Sequence, residues 1–300
     1  MMFEGFSYSV RGGSHVARDL VCQDASAYVV KERYAAAVAA DGHGSKKHFR
    51  SDIGSKCAVE ATLETIDRFY EDPDEFEKNF PENYKMVIKN IEKQVISVWN
   101  SKIMEHLEKN PVTPEEKSKF KDDEFAAINP ESYYGTTLIV AVAGVDYSFG
   151  FQIGDGSLVA VFDDGQAITP TDYDESAPAN VTASMCNANA STMFRAFYEN
   201  KKKLIALYTS TDGLYTSFGS ENDFLDYHVI ITSQLGGLPD FANVVLKNIT
   251  KRSRAGTEDD VSFSCVCIKE NVEANLDMLK QRIEENKQKA ADRKAKLLNR

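Results

Sequence analysis

Three apolar runs lead directly into aspartate-glycine. Ala35–Ala40 runs into Asp41-Gly42-His43-Gly44, Phe149–Gly154 into Asp155-Gly156, and Leu204–Thr211 into Asp212-Gly213. Asp259-Asp260, just ahead of the alternating run Val261–Ile268, adds a fourth acidic position at a strand end. An aspartate closing a buried strand is costly unless its charge is compensated. Several such carboxylates converge only if a cation neutralises them. Oxygen donors with almost no His or Cys nearby suit Mg²⁺ or Mn²⁺ better than zinc. A glycine after a ligating aspartate lets a carbonyl or substrate oxygen come close to the ion. The chemistry such a set supports is a binuclear carboxylate site that activates water for attack on phosphorus.

Aspartate-glycine is also a favoured hairpin loop, and Asp164-Gly165 reads as one. Two of the other sites fit that reading less well. Asp41-Gly42 precedes a polar loop and then a helix, and Asp212-Gly213 precedes Leu-Tyr-Thr-Ser-Phe with no evident returning strand.

The elements that must position these residues follow from periodicity. Apolar residues at helical spacing predict helices over Ser51–Tyr70 and Tyr84–Leu107, each with one face on the core. The polar, proline-bearing stretches Glu71–Glu82 and Asn110–Pro130 read as connections, the second a mobile or surface insertion. Thr136–Ala143, Tyr147–Ile153 and Leu158–Phe162 read as an antiparallel meander, joined by turns at 144–146, 154–156 and 163–165. Leu204–Tyr208 and Val261–Ile268 are further strands, the latter with Val261, Phe263, Cys265 and Cys267 on one face. Helices and strands without strict alternation indicate an α+β layered fold. Residues 1–270 form the body. The tail 271–300 is a charged C-terminal helix, its first half docked through Val272, Leu276, Leu279 and Ile283, its second half disordered; it also offers a surface for self-association.

Composition narrows the function. The 300 residues carry 35 Lys and Arg against 46 Asp and Glu, a net charge of −11. Such a surface repels phosphate backbones, which argues against nucleic acid as a partner and against a metal-dependent nuclease. No apolar run spans a bilayer and no export signal is visible, so no membrane partner and a cytoplasmic location are expected. Five cysteines without framework spacing read as free thiols. The triplets at Asn180, Asn189 and Asn248 carry no glycosylation meaning without export.

Gln23-Asp24, Asp41-Gly42-His43-Gly44, Gly135-Thr136-Thr137, Gly154-Asp155-Gly156-Ser157, Thr211-Asp212-Gly213 and Asp259-Asp260-Val261-Ser262 occur in an order that resembles the metal-dependent, type-2C Ser/Thr protein phosphatases in a bacterial-like single-domain form. The resemblance spans about residues 5–268. It implies a four-layer αββα sandwich, two antiparallel sheets flanked by helix pairs, with two Mn²⁺ or Mg²⁺ ions at one end and a phosphoprotein substrate. By resemblance Asp41 bridges both ions, the Gly42 carbonyl holds the second, and Asp212 and Asp259 complete the first. Asp24 holds ion-bound waters, Asp155 binds a third ion in some members, and His43 is the general acid for the departing alcohol. Positioned acid help contributes on the order of 10²–10⁴ in rate.

The chain also departs from the family. Many members have an arginine five residues before the first aspartate, where it grips the substrate phosphate. Here Asp19 stands there, and the neighbouring Arg18 takes the assignment. The acidic residue four beyond the second aspartate is Thr216, and the final Asp-Asn is Asp259-Asp260, either of which can be the ligand. The segment Thr169–Tyr198 falls where the family has a variable flap. These departures motivate an alternative: a pseudophosphatase that binds a phosphoprotein without turnover.

Overall fold

The computed structural model describes residues 1–171 and 182–298. Residues 172–181 of the expected flap, Asn180 among them, lie outside the described residues.

The strands are β1 (Phe3–Val10), β2 (Ala25–Val30), β3 (Ala35–Ala40), β4 (Leu138–Ala143), β5 (Ser148–Ile153), β6 (Ser157–Phe162), β7 (Ala167–Ile168), β8 (Arg195–Glu199), β9 (Leu204–Ser210) and β10 (Val261–Ile268). They form two five-stranded sheets, β1-β10-β9-β6-β7 and β2-β3-β4-β5-β8, with every pairing antiparallel. The helices are α1 (Gly13–Ala17), α2 (Ser51–Phe69), α3 (Pro73–Lys109), α4 (Pro114–Ser118), α5 (Asp122–Ala126), α6 (Asp212–Tyr215), α7 (Glu221–Thr232), α8 (Asp240–Arg252), α9 (Lys269–Ala274) and α10 (Leu276–Leu298).

Side-chain alternation builds the layers. Along β3, Ala35, Ala37 and Ala39 pack with Ile139, Leu158, Leu207 and Val266 in the core between the sheets. Ala36, Val38 and Ala40 face the other way, toward Ala58, Ile66, Ile91, Val95 and Trp99 of α2 and α3. The opposite sheet uses Phe6, Val161, Tyr208, Phe263 and Cys265 against Phe224, Val229, Val245 and Ile249 of α7 and α8. The result is the four-layer αββα sandwich, with the inner strands β3, β4, β5, β9 and β10 buried on both faces because helices cover the outside of each sheet.

Several sequence expectations are revised. Strands β5 and β6 do not form a hairpin: β5 belongs to one sheet and β6 to the other, so Gly154-Asp155-Gly156 carries the chain across the sandwich. The meander is therefore confined to β4–β5 and, at Asp164-Gly165, β6–β7. The stretch Glu71–Glu82 is mostly helix. Asp72 caps it by accepting the Glu75 N–H at 3.0 Å, Pro73 occupies the first turn, and the backbone departs from helical geometry at Asn83, two residues after Pro81.

The insertion Asn110–Pro130 holds α4 and α5 and is tied down by Arg50. That buried guanidinium makes paired 2.8 Å bonds to Glu116 and further bonds to the carbonyls of Asn110 and Pro111 and to Tyr134 Oη. The tail docks through Val272, Leu279 and Ile283 as expected, with Met278 in the cluster in place of the expected Leu276, but its second half continues as helix to Leu298 instead of ending in disorder. All five cysteines are free. No described helix is long and apolar enough to cross a membrane.

Candidate metal centre

Antiparallel pairing places the end of β3, the start of β2 and β4, the end of β9 and the start of β10 and β6 at one rim of the sandwich. The strand-end carboxylates gather there. Asp41 leaves β3 with its N–H donating to Thr137 Oγ1 at 3.0 Å, while its carbonyl accepts from Thr137 N–H (2.9 Å) and Thr136 Oγ1 (2.8 Å). Its carboxyl lies close enough to that of Asp212, which opens α6 at the end of β9 in the facing sheet, for each to perturb the other's ionisation. Gly42 donates to the Gln23 carbonyl and bridges to Thr136. A Cβ there would lie 2.5 Å from the Gln23 carbonyl oxygen and 2.7 Å from that of Ser51, so only glycine permits this approach.

Asp24 is buried at the start of β2 and accepts a 2.7 Å bond from Thr211 Oγ1. Asp155, in the crossover between sheets, is exposed and accepts from Thr182 Oγ1 at 2.8 Å. Asp259 is exposed ahead of β10, its carboxylate accepting the Asp260 N–H at 2.9 Å.

The electrostatics show how these groups bear on one another. Burial first, then neighbouring carboxylates, hold Asp24 and Asp41 well above the ordinary carboxylate range. The neighbours are Asp260, Asp259 and Asp212 for Asp24, and Asp24, Asp212 and Asp155 for Asp41. Asp212 is raised as well, by burial and then by Asp155, with Asp259 adding to it. Like charges this close cannot all ionise without a counter-cation. Among the described residues no group of three His, Cys, Asp or Glu side chains is placed so that it could hold a metal ion. The donor set nonetheless fits hard divalent ions: oxygen donors from both sheets, excess negative charge, and perturbing neighbours that are themselves acids.

Asp260 is engaged elsewhere. It is buried and accepts the backbone N–H groups of Gly12 (2.7 Å) and Gln23 (2.6 Å), with His15 Nδ1 at 2.9 Å. Of the two adjacent aspartates, Asp259 is thus the one whose side chain remains open toward solvent.

His43 follows Gly42, its N–H on the Gly135 carbonyl and its ring centroid 4.9 Å from that of His48. Burial, then His48, push its pKa down to about 4, with Asp155 opposing. It is therefore neutral near pH 7 in the resting protein. Arg18 sits just past α1, exposed, and among the described residues its guanidinium has no hydrogen-bond or ion-pair partner. Among the described residues no hydrogen bond or ion pair links it to the carboxylates. Asp19, left-handed at φ 53°, lies 3.8 Å from Arg11 instead. Thr216 Oγ1 donates back to the Asp212 carbonyl.

Three residues matter more than their motifs indicated. Thr211 and Asp260 stand beside expected ligands, but nothing in a linear pattern shows which atoms they bind. Gln23 joins three elements: its amide donates to Ser51 Oγ (2.7 Å), and its carbonyl accepts from Gly42 and Ser55.

Comparison with known proteins agrees with this architecture. The staphylococcal serine/threonine phosphatase Stp1 from Staphylococcus aureus superposes with a TM-score of 0.55 at 15% identity, covering 89% of this chain and 96% of its own. The Mycobacterium tuberculosis serine/threonine phosphatase PstP/Ppp gives 0.52 at 14% identity, covering 90% and 100%. The PstP catalytic domain in complex with two manganese ions gives 0.52 at 16%, covering 89% and 98%. These likenesses show a shared fold. No curated protein matches the sequence. The family model described as Protein phosphatase 2C matches residues 11–240, more than half of the sequence and including Asp24, Asp41, Asp155 and Asp212, and on that match the chain belongs to the protein phosphatase 2C family.

Proposed function

We propose that this protein is a metal-dependent phosphatase that removes phosphate from phosphoserine or phosphothreonine of a phosphoprotein, with Mn²⁺ or Mg²⁺ as cofactor. The observation that carries the reading is that Asp41 and Asp212, from the two facing sheets, perturb each other's ionisation among further carboxylates, with burial keeping both above their ordinary range. Asp41, Asp212, Asp259 and the Gly42 carbonyl would hold two divalent ions, with Asp155 available to a third. Bound there, such ions supply a water acidified toward neutrality and neutralise phosphoryl oxygens.

The chain's own groups do the rest. Asp24, fixed by Thr211, offers a carboxylate oxygen to orient water at the rim. His43 would protonate the departing alcohol. It is neutral at rest, and the approach of an anionic phosphoryl group favours its charged form. Arg18, exposed on the loop ahead of Asp24, is the cation assigned to the substrate phosphate. No cysteine nucleophile is required where water attacks phosphorus, and burial pushes the Cys57 thiol up to about 11 and the Cys267 thiol up to about 12, against thiolate chemistry at those two.

The test is hydrolysis of a phosphothreonine peptide in Mn²⁺. The expected result is turnover abolished by EDTA and reduced at least about 100-fold in Asp41→Asn and Asp212→Asn. Full activity in either variant would refute the assignment.

A further inference from the structure

The segment from Gly12 to Gln23 carries Arg18 at its middle and delivers the chain to Asp24. Both its ends are held by a single buried carboxylate. Asp260 accepts the Gly12 N–H at 2.7 Å through Oδ1 and the Gln23 N–H at 2.6 Å through Oδ2. His15 Nδ1 lies 2.9 Å from the same Oδ2 and 3.1 Å from the Val21 carbonyl, so a proton on Nδ1 serves both acceptors.

The remaining bonds close the loop on itself and on the base of β10. Leu20 N–H donates to the His15 carbonyl, Arg11 Nη1 to the Leu20 carbonyl, and Ser14, through both N–H and Oγ, to the Glu258 carbonyl. A Cβ on Gly12 would lie 2.4–2.7 Å from backbone atoms of Glu258 and Asp259, so the two segments are in direct contact. Arg18 itself is left exposed and without a partner among the described residues.

We infer that Asp260 and His15 are positioning residues: together they clasp the loop 12–23 and so hold Arg18 toward an incoming phosphorylated substrate. This rests on the phosphatase reading above. Asp24 has its own anchor in Thr211, so releasing the clasp affects substrate capture more than the chemical step.

The experiment compares wild type, His15→Ala and His15→Asn, whose amide nitrogen stands where Nδ1 does. Kinetics on a phosphothreonine peptide in saturating Mn²⁺ are read beside Mn²⁺ calorimetry and amide hydrogen exchange. In His15→Ala, KM is expected to rise about tenfold while kcat and the Mn²⁺ Kd stay within about threefold. Exchange is expected to quicken in residues 12–23 and not in 261–268, and His15→Asn is expected to restore both. Unchanged KM and unchanged exchange would overturn the clasp, as would kcat and metal affinity falling in step with KM. If wild type shows no turnover in any divalent ion, the phosphatase reading fails. The exchange data then still decide the clasp, since unaltered protection of 12–23 in His15→Ala refutes it.

Discussion

Thr211 Oγ1 donates to Asp24 at 2.7 Å while accepting the Ser262 N–H at 2.9 Å, so one hydroxyl links the start of β2 in one sheet to β9 and β10 in the other. All three positions are buried. The bond pulls against the burial that drives the Asp24 pKa upward. Thr211→Val removes the donor and leaves a buried carboxyl unsatisfied. A loss of about 1–3 kcal/mol is expected in chemical denaturation, with Thr211→Ser recovering most of it.

The raised carboxyls set a sign for pH dependence. A folded-state pKa above the unfolded value means that the metal-free protein binds more protons than the unfolded chain, so these groups lose stability as pH rises from the ordinary carboxylate range. A divalent ion displaces those protons. The Mn²⁺-induced increase in Tm is therefore expected to grow as pH rises above about 4, the ordinary carboxylate value. Melting curves with and without Mn²⁺ at each pH check this, and a shift that shrinks with pH would contradict it.

His228 makes the opposite contribution. It is buried among Tyr208, Phe224, Tyr227 and Phe263, with Nδ1 on the Phe224 carbonyl, and burial pushes it down to about 4. A depressed histidine pKa costs stability as pH falls through its unfolded value toward the folded one. His228→Leu should gain on wild type by up to about 3 kcal/mol between neutral pH and pH 4. Denaturant midpoints of the two proteins across that range are the measurement.

Arg50 ties the insertion 110–130 to the loop that begins at Gly42. Arg50→Met takes the cation from Glu116, which keeps only the Thr113 N–H, and the donor from two carbonyls. A cost of about 2–4 kcal/mol is expected, together with new proteolytic cleavage inside 110–130. Cleavage at the wild-type rate would show that the insertion is held by its apolar contacts alone.

The acidic rim is legible because buried strands that end in Asp-Gly without a returning strand are locally conspicuous. Asp41 and Asp212 stand out in that way, and α2 by its helical spacing. Other features depend on contacts distant in sequence. The crossing at Gly154-Asp155-Gly156 looks like a hairpin because turn chemistry is the same whether the next strand joins the same sheet or the facing one. Helix α7 contains Tyr-His-Val-Ile-Ile-Thr, a strand-like run, and becomes helical where Phe224, His228, Val229 and Ile231 bury against the sheet. The roles of Asp259 and Asp260 were inseparable in sequence, since only the fold shows that Asp260 is taken up by Gly12, His15 and Gln23.

Anomalous diffraction from crystals grown in Mn²⁺ tests most directly whether acids from both sheets share divalent ions. Two manganese peaks are expected at the rim, one flanked by the carboxylates of Asp41 and Asp212 together, and both absent in Asp41→Asn. Manganese bound away from these side chains, or retained unchanged in that variant, would contradict the account.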